Sequence, residues 1–382
     1  MKIGVPKETY PNERRVALVP AAVSGLTKAG YEVLVEKGAG IAAGYPDSEY
    51  EGKGASLVDD RKSIFSLAEI VTQVRGPGAN PAHGNEDIAL LRENQILIAM
   101  LDPLAATDEM QALAKSGATV FGMELMPRIT RAQSMDVLSS MASVAGYLAV
   151  LIAATKLPKF FPMFMTAAGT ISPAHVFVLG AGVAGLQAIA TAKRLGAVVQ
   201  AYDVRPAVKE QVESLGGKFV EFDVGGGEGE GGYAKELTNE QKAKQAELMA
   251  GVIQAADVVI TTAAVPGKKS PILIREDVVK GMKPGSVIVD LAAEKGGNVD
   301  LTKPGETIEA HGVTIVGTLN LPSHLPYHAS QMYAKNIQTF LQHLGKEGTI
   351  ELDLEDEITK GSLVARGGEV VHPMVKDAIA KG

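Results

Sequence analysis

Gly180-Ala181-Gly182-Val183-Ala184-Gly185 sets three glycines at a spacing that can cradle a pyrophosphate. The first permits a tight turn, the second removes a Cβ that would block the phosphates, and the third lets a helix pack close to a sheet. The phosphates then meet the positive end of the helix dipole. Asp203 follows Gly185 by 18 residues, close to the ~20 at which an acid takes the hydroxyls of an adenosine ribose. Its charge repels a 2′-phosphate and so selects NAD over NADP. Arg205 can hold a phosphate, but an acid at the strand end decides the preference.

Such a glycine spacing is informative only between a strand and a helix. Here the apolar run Val176–Leu179 precedes it, a helical pattern fills Leu186–Leu195, and a second strand, Val198–Asp203, brings the carboxylate back. No other chemistry is signalled. The chain has no cysteine, which excludes disulfides and thiolate nucleophiles. Of its seven histidines, His324 and His328 are four apart, but Leu325-Pro326 between them favours a loop, and no metal site is expected. Ser323 lacks a nucleophile-elbow context.

The elements that must position these residues form two alternating series. Ile3–Val5, Glu32–Val35, Ile70–Val74, Ile96–Met100 and Ala118–Gly122 are short apolar runs, with helical patterns at Ala21–Ala29 and Asp108–Lys115 among them. A second series runs Val176–Leu179, Val198–Asp203, Lys218–Val220, Val258–Thr262, Val287–Asp290 and Val313–Val316. Such alternation indicates βαβ units on parallel sheets. At 382 residues two domains are expected. The predicted fold is α/β, with two Rossmann-like parallel-sheet domains flanking a cleft. Residues 1–138 and 318–382 form a discontinuous first domain, and 139–317 an NAD(H)-binding one. An apolar helix over Ser134–Leu157 links them, and a helix at Ala329–His343 returns to the first.

The net charge of −7 and the 5% aromatic content argue against nucleic acid, which needs clustered cations and stacking surfaces. The apolar stretch Met141–Ala154 falls short of the ~20 residues of a membrane span, so a buried helix is expected there and no direct span. The N-terminus shows no apolar signal region. Gly225–Gly232 is either a plain flexible loop or a lid, and the tail after Thr349 suggests a hairpin leading to a partner contact.

Longer motifs carry a resemblance. Glu124-Leu125-Met126-Pro127-Arg128-Ile129-Thr130-Arg131-Ala132-Gln133-Ser134-Met135-Asp136-Val137-Leu138-Ser139-Ser140 resembles the nicotinamide-site segment of the NAD(H)-binding domain I, the alpha-1 subunit, of proton-translocating NAD(P) transhydrogenase. The stretches Met165–Thr170, Gly185–Ala197, Gln211–Phe219 and Gly231–Glu236 resemble it too. The resemblance implies a peripheral homodimer that binds NAD(H). It further implies that hydride passes from NADH to NADP+ in the NADP(H)-binding domain of a partner subunit, beside membrane-embedded subunits at the inner, cytoplasmic face of the plasma membrane. It marks Gln133, Arg128, Asp136 and Ser139 as the residues that orient the nicotinamide and its ribose. The cofactor contacts it implies are Arg128, Ile129, Gln133, Asp136, Gly180, Gly182, Val183, Gly185, Asp203, Val204, Arg205, Gly232, Tyr233 and Thr262. Hydride transfer between two nicotinamides asks for positioning without a general acid.

Alanine dehydrogenase is a more distant resemblance, through Gly4–Glu8 and Arg14–Ala17. That family places a carboxylate-binding arginine at Arg15, but its lysine, histidine and aspartate positions read Arg75, Asp102 and Glu294 here. An arginine cannot shuttle protons near neutrality, and the imidazole is missing. Amino-acid oxidation, or an NAD-binding regulatory module without turnover, are the alternative readings.

Overall fold

The computed structural model describes residues 1–222, 238–264, 267 and 269–381. The segment Gly225–Gly232, expected as either a plain flexible loop or a lid, lies outside the described residues, as does Tyr233. The chain forms two compact units, Met1–Met141 with Pro322–Gly382, and Ala142–Leu321.

The first unit is built on a sheet of eight strands among the described residues. From one edge these are Ala55–Val58, Glu32–Glu36, Lys2–Val5, Ile70–Arg75, Ile96–Met100, Thr119–Gly122, Leu363–Arg366 and Glu369–Val370. The first six are parallel. In chain order they lie 3-2-1-4-5-6, the doubly wound arrangement. The last two are antiparallel and come from the C-terminal tail. They turn on Gly367-Gly368, both at positive φ, the conformation a two-residue hairpin requires. The tail hairpin therefore extends this unit's own sheet. Phe65, Leu97, Leu113, Val120, Val364 and Val375 share one core beneath it. The helix Pro326–Leu344 buries Ala329, Tyr333, Ile337, Phe340 and Leu344, a helical repeat that lays one face on the unit.

The second unit repeats the order. Lys218–Phe219, Val198–Tyr202, His175–Leu179, Val258–Thr261, Val287–Asp290 and Val313–Val316 are parallel and again lie 3-2-1-4-5-6. Thr307–Ala310 closes one edge antiparallel. These valine-rich strands read as continuous apolar runs because both faces of a parallel sheet are covered.

The chain passes between units along the helix Val137–Lys156. It lies within the expected Ser134–Leu157 and extends beyond the apolar run Met141–Ala154 at both ends, and its 20 residues and mean hydropathy of 2.0 would by length and composition suit a membrane span. Ala149, Val150 and Ala153 instead lie in the core of the second unit. Gly146 explains how closely the helix packs there, since a Cβ on it would come within 3.0 Å of the carbonyl oxygen of Ala184. Among the described residues, the elements not anticipated include the edge strands Ala55–Val58 and Thr307–Ala310, the hairpin Phe164–Thr166/Gly169–Ile171, and the helices Arg61–Leu67, Asn239–Ala255 and Pro373–Lys381.

Two glycine-to-alanine changes separate close packing from helix propensity. Gly251, inside Asn239–Ala255, has open space where a Cβ would stand, whereas a Cβ on Gly185 would collide with the backbone carbonyl of Gly180. Gly251→Ala should raise stability by up to about 1 kcal/mol. Gly185→Ala should lower it by about 1–3 kcal/mol despite the same propensity gain. Urea unfolding of both variants tests this, and equal midpoints would refute it.

Candidate functional site

In the second unit the strand His175–Leu179 ends at Gly180, whose φ of +97° turns the chain sharply. Gly182 then precedes the helix Val183–Arg194. A Cβ on Gly182 would meet nothing within 4 Å, while one on Gly185 would strike Gly180. One glycine thus leaves a surface on which a phosphate can rest, and the other seats the helix. The turn sits where strand order reverses, between His175–Leu179 and Val258–Thr261. Ligands of open α/β sheets lie at that crevice.

The expected ribose acid lies one residue past its strand, which ends at Tyr202. Asp203 accepts a hydrogen bond from the Ala181 amide at 2.7 Å, so the acid is braced against the glycine turn. Arg205 grips the same carboxylate through its amide and Nε, both at 2.9 Å, and through Nη2 at 3.0 Å. Burial opposes the charge on Asp203, but these donors outweigh it and hold the carboxyl below its ordinary range. Val204 is 80% exposed. Thr262 falls just beyond the strand that was expected to contain it. Its hydroxyl lies 3.2 and 3.1 Å from the carbonyl oxygens of Leu179 and Gly180, so it clips the two strand ends together.

In the first unit the segment from Met123 to Met135 consists of two short 3-10 turns, Met123–Leu125 and Thr130–Met135. Ala132 and Met135 are buried and anchor it, which leaves Arg128 and Gln133 exposed and Ile129 half-buried. Asp136 and Ser139 are drawn into a helix cap. Asp136 Oδ1 accepts from the Ser139 amide at 2.9 Å, and Oδ2 accepts from the Ser139 hydroxyl at 2.6 Å. Arg128 and Gln133 share one short exposed stretch, while Asp136 and Ser139 fix where the next helix begins.

Several supporting residues were missed. Asn336, on the helix Pro326–Leu344, donates to the carbonyl of Ser134 at 2.8 Å and pins the Gln133 turn. Glu124 accepts from the amides of Leu101 and Asp102 at 2.6 and 2.8 Å, tying the segment to the strand Ile96–Met100. In the second unit the fully buried Asn298 binds both polar backbone atoms of Ala263, next to Thr262. A lone Asn or Glu gives no periodic signal in a sequence.

The first unit also has a switch point, between Lys2–Val5 and Ile70–Arg75, and charged groups crowd it. Glu8 accepts from the amides of Val74 and Arg75. Arg15, 2% exposed, is held by both oxygens of Glu13 at 2.7 Å. Arg75 Nε lies 3.4 Å from Glu13 and its guanidinium covers the Tyr10 ring at 4.4 Å. Asp102 sits in a left-handed turn with φ +49°. In the second unit Glu294 accepts from the Asn320 amide at 2.6 Å. A cavity of about 850 Å³ lined by Lys159, His175, Asp257 and Lys283 carries none of the expected site residues, because it opens at the other end of the second sheet's strands. Among the described residues no cluster of three metal-ligating side chains occurs.

Two sheets in doubly wound order, one with a glycine turn at its switch point, define a Rossmann-like α/β fold. Residues 4–145 match the alanine dehydrogenase/PNT N-terminal domain, and residues 149–373 the alanine dehydrogenase/PNT C-terminal domain. The first portion of the NAD(P) transhydrogenase alpha subunit of Rhodospirillum rubrum is 49% identical over 378 residues, covering 98% of both chains. The crystal structure of transhydrogenase from Sinorhizobium meliloti superposes with a TM-score of 0.84 at 44% identity, covering 98% of this chain and 99% of that one. An L-alanine dehydrogenase structure superposes at 0.81 with 28% identity, covering 100% and 99%. The chain belongs to the alanine dehydrogenase/PNT family, and its identity to the transhydrogenase alpha subunits exceeds that to the alanine dehydrogenases.

Burial raises Glu8 to about 7, reinforced by Glu13, and burial raises Glu124 to about 7 as well. The folded chain therefore retains protons that the unfolded chain releases from about pH 4.5 upward. Stability should fall as pH rises from about 5 to 7, by at most about 1.4 kcal/mol per pH unit per group, and level off above 7. Glu8→Gln should flatten that slope whatever its effect on absolute stability. Unfolding midpoints across pH 5–8 test this, and an unchanged slope would refute it.

Proposed function

We propose that this chain is the NAD(H)-binding peripheral component of a proton-translocating transhydrogenase, exchanging hydride with NADP(H) held on a partner subunit. The observation that carries the reading is the brace between Asp203 and the Ala181 amide, which joins the ribose acid to the phosphate turn. The residues fit the dinucleotide. Gly180, Gly182, Val183 and Gly185 would hold the pyrophosphate on the helix N-terminus. Asp203 would take the adenosine ribose, with Val204 and Thr262 around it and Arg205 on its carboxylate. Bound NADH supplies the hydride.

What the chain must then do is orient. Arg128, Ile129 and Gln133 stand on a turn pinned by Asn336 and Glu124, and in this reading they fix the nicotinamide and its ribose. The amide of Gln133 can donate and accept without titrating. Asp136 and Ser139 act through the cap that sets the frame of that turn. Gly232 and Tyr233 complete the expected contacts.

The state of the first switch point supports transhydrogenation over amino-acid oxidation. Arg75 is a permanent cation engaged with Glu13 and Tyr10, and Asp102 offers no imidazole. We further assign the chain to a homodimer at the cytoplasmic face of the membrane. It acts there beside membrane-embedded subunits, with no span of its own. Burial of Ala149, Val150 and Ala153 in the second unit's core favours a structural role for its apolar helix.

Mixing the chain with the isolated NADP-binding domain of a transhydrogenase should give NADH-dependent reduction of an NADP analogue. No transfer would sink the reading, and turnover of alanine, or of pyruvate with ammonium, would replace it with the dehydrogenase. Gln133→Asn should leave the NADH dissociation constant within a factor of about 2 while slowing transfer by about 10- to 100-fold. A weakened affinity with normal transfer would contradict the role given to Gln133.

A further inference from the structure

We propose that Arg205 is an internal competitor for the adenosine ribose, so that nucleotide binding must exchange a guanidinium for a diol on Asp203. This rests on reading the second unit as the NAD(H) site. A carboxylate offers about four acceptor positions. Asp203 has four donors on it: the amides of Ala181 and Arg205, and Nε and Nη2 of Arg205. The two amides belong to the turns that shape the site and cannot leave without unfolding them. The two side-chain donors can.

Their exposure differs in the sense this requires. The Arg205 side chain is 59% exposed, whereas that of Asp203 is 6% exposed. The guanidinium can swing into water and stay hydrated, and the carboxylate stays in place. A ribose 2′,3′-diol brings two donors, the same number that the side chain gives up. The exchange keeps Asp203 fully satisfied in both states, so the buried acid never lacks partners. Once Arg205 has swung away, the negative charge of Asp203 faces the 2′ position uncompensated, which opposes a 2′-phosphate. The same exchange thus serves NAD selectivity.

Exposed ion pairs are weak, and releasing one should cost binding a factor of about 2–5. Arg205→Ala should therefore tighten NADH by about 2- to 5-fold. It should tighten adenosine, which has no phosphate, by the same factor. Arg205→Lys, which loses the planar fork but keeps the charge, should fall between wild type and alanine. In an Asp203→Asn background Arg205→Ala should change nothing. Titration calorimetry for NADH and competition by adenosine measure these. Unchanged or weaker NADH binding by Arg205→Ala would overturn the proposal, and so would tightening for NADH but not adenosine, which would place the effect at the pyrophosphate. If wild type bound no NADH at all, the NAD(H) assignment would be what failed.

Discussion

The approach of Gly185 to the carbonyl of Gly180, with Gly146 closing on the carbonyl of Ala184, leaves no room for a side-chain atom between strand end, glycine turn and linking helix. Each neighbour then inherits its place. The helix Val183–Arg194 starts where its unpaired amides meet the crevice, and Asp203 reaches Ala181 because the turn is that tight. Thr262 stitches the adjoining strand to Leu179 and Gly180. Backbone contacts of this kind do not relax as side chains do, so the geometry offered to a nucleotide is set before one arrives.

The same topology occurs twice with opposite contents. One switch point carries a glycine turn and open space, while the other is filled by Glu8, Glu13, Arg15 and Arg75. Removing one member of a buried pair such as Glu13–Arg15 typically costs about 3–5 kcal/mol, because it strands the other charge. The filled crevice is thereby committed to its own charges. Doubly wound order alone does not decide what a crevice binds; the residues at its strand ends do.

Most of this was open to a reading of the sequence, and the exceptions have physical causes. Valine-rich runs and the glycine spacing announce themselves because buried parallel strands and phosphate turns constrain every position. Thr307–Ala310 and Ala55–Val58 are edge strands, exposed enough to be written in mixed residues. Asn239–Ala255 has little amphipathic pattern, so periodicity could not find it. The tail hairpin could be anticipated, but not its pairing with Thr119–Gly122, since a strand does not name its neighbour. Asp203 and Arg205 were both singled out as residues. Their grip on each other depends on a turn that spacing alone does not specify. Glu8 and Glu124 look like surface acids until the fold buries them.

The pairing of Leu363–Arg366 with Thr119–Gly122 also orders events on the ribosome. The second unit is one uninterrupted stretch and can close as soon as its last strand, Val313–Val316, has emerged. The first unit begins the chain but needs residues near its very end to finish its sheet and to lay down the helix Pro326–Leu344. Contacts so distant in sequence form late, after the loop between them has been synthesised. The N-terminal strands therefore wait, partly assembled, while the second unit matures ahead of them.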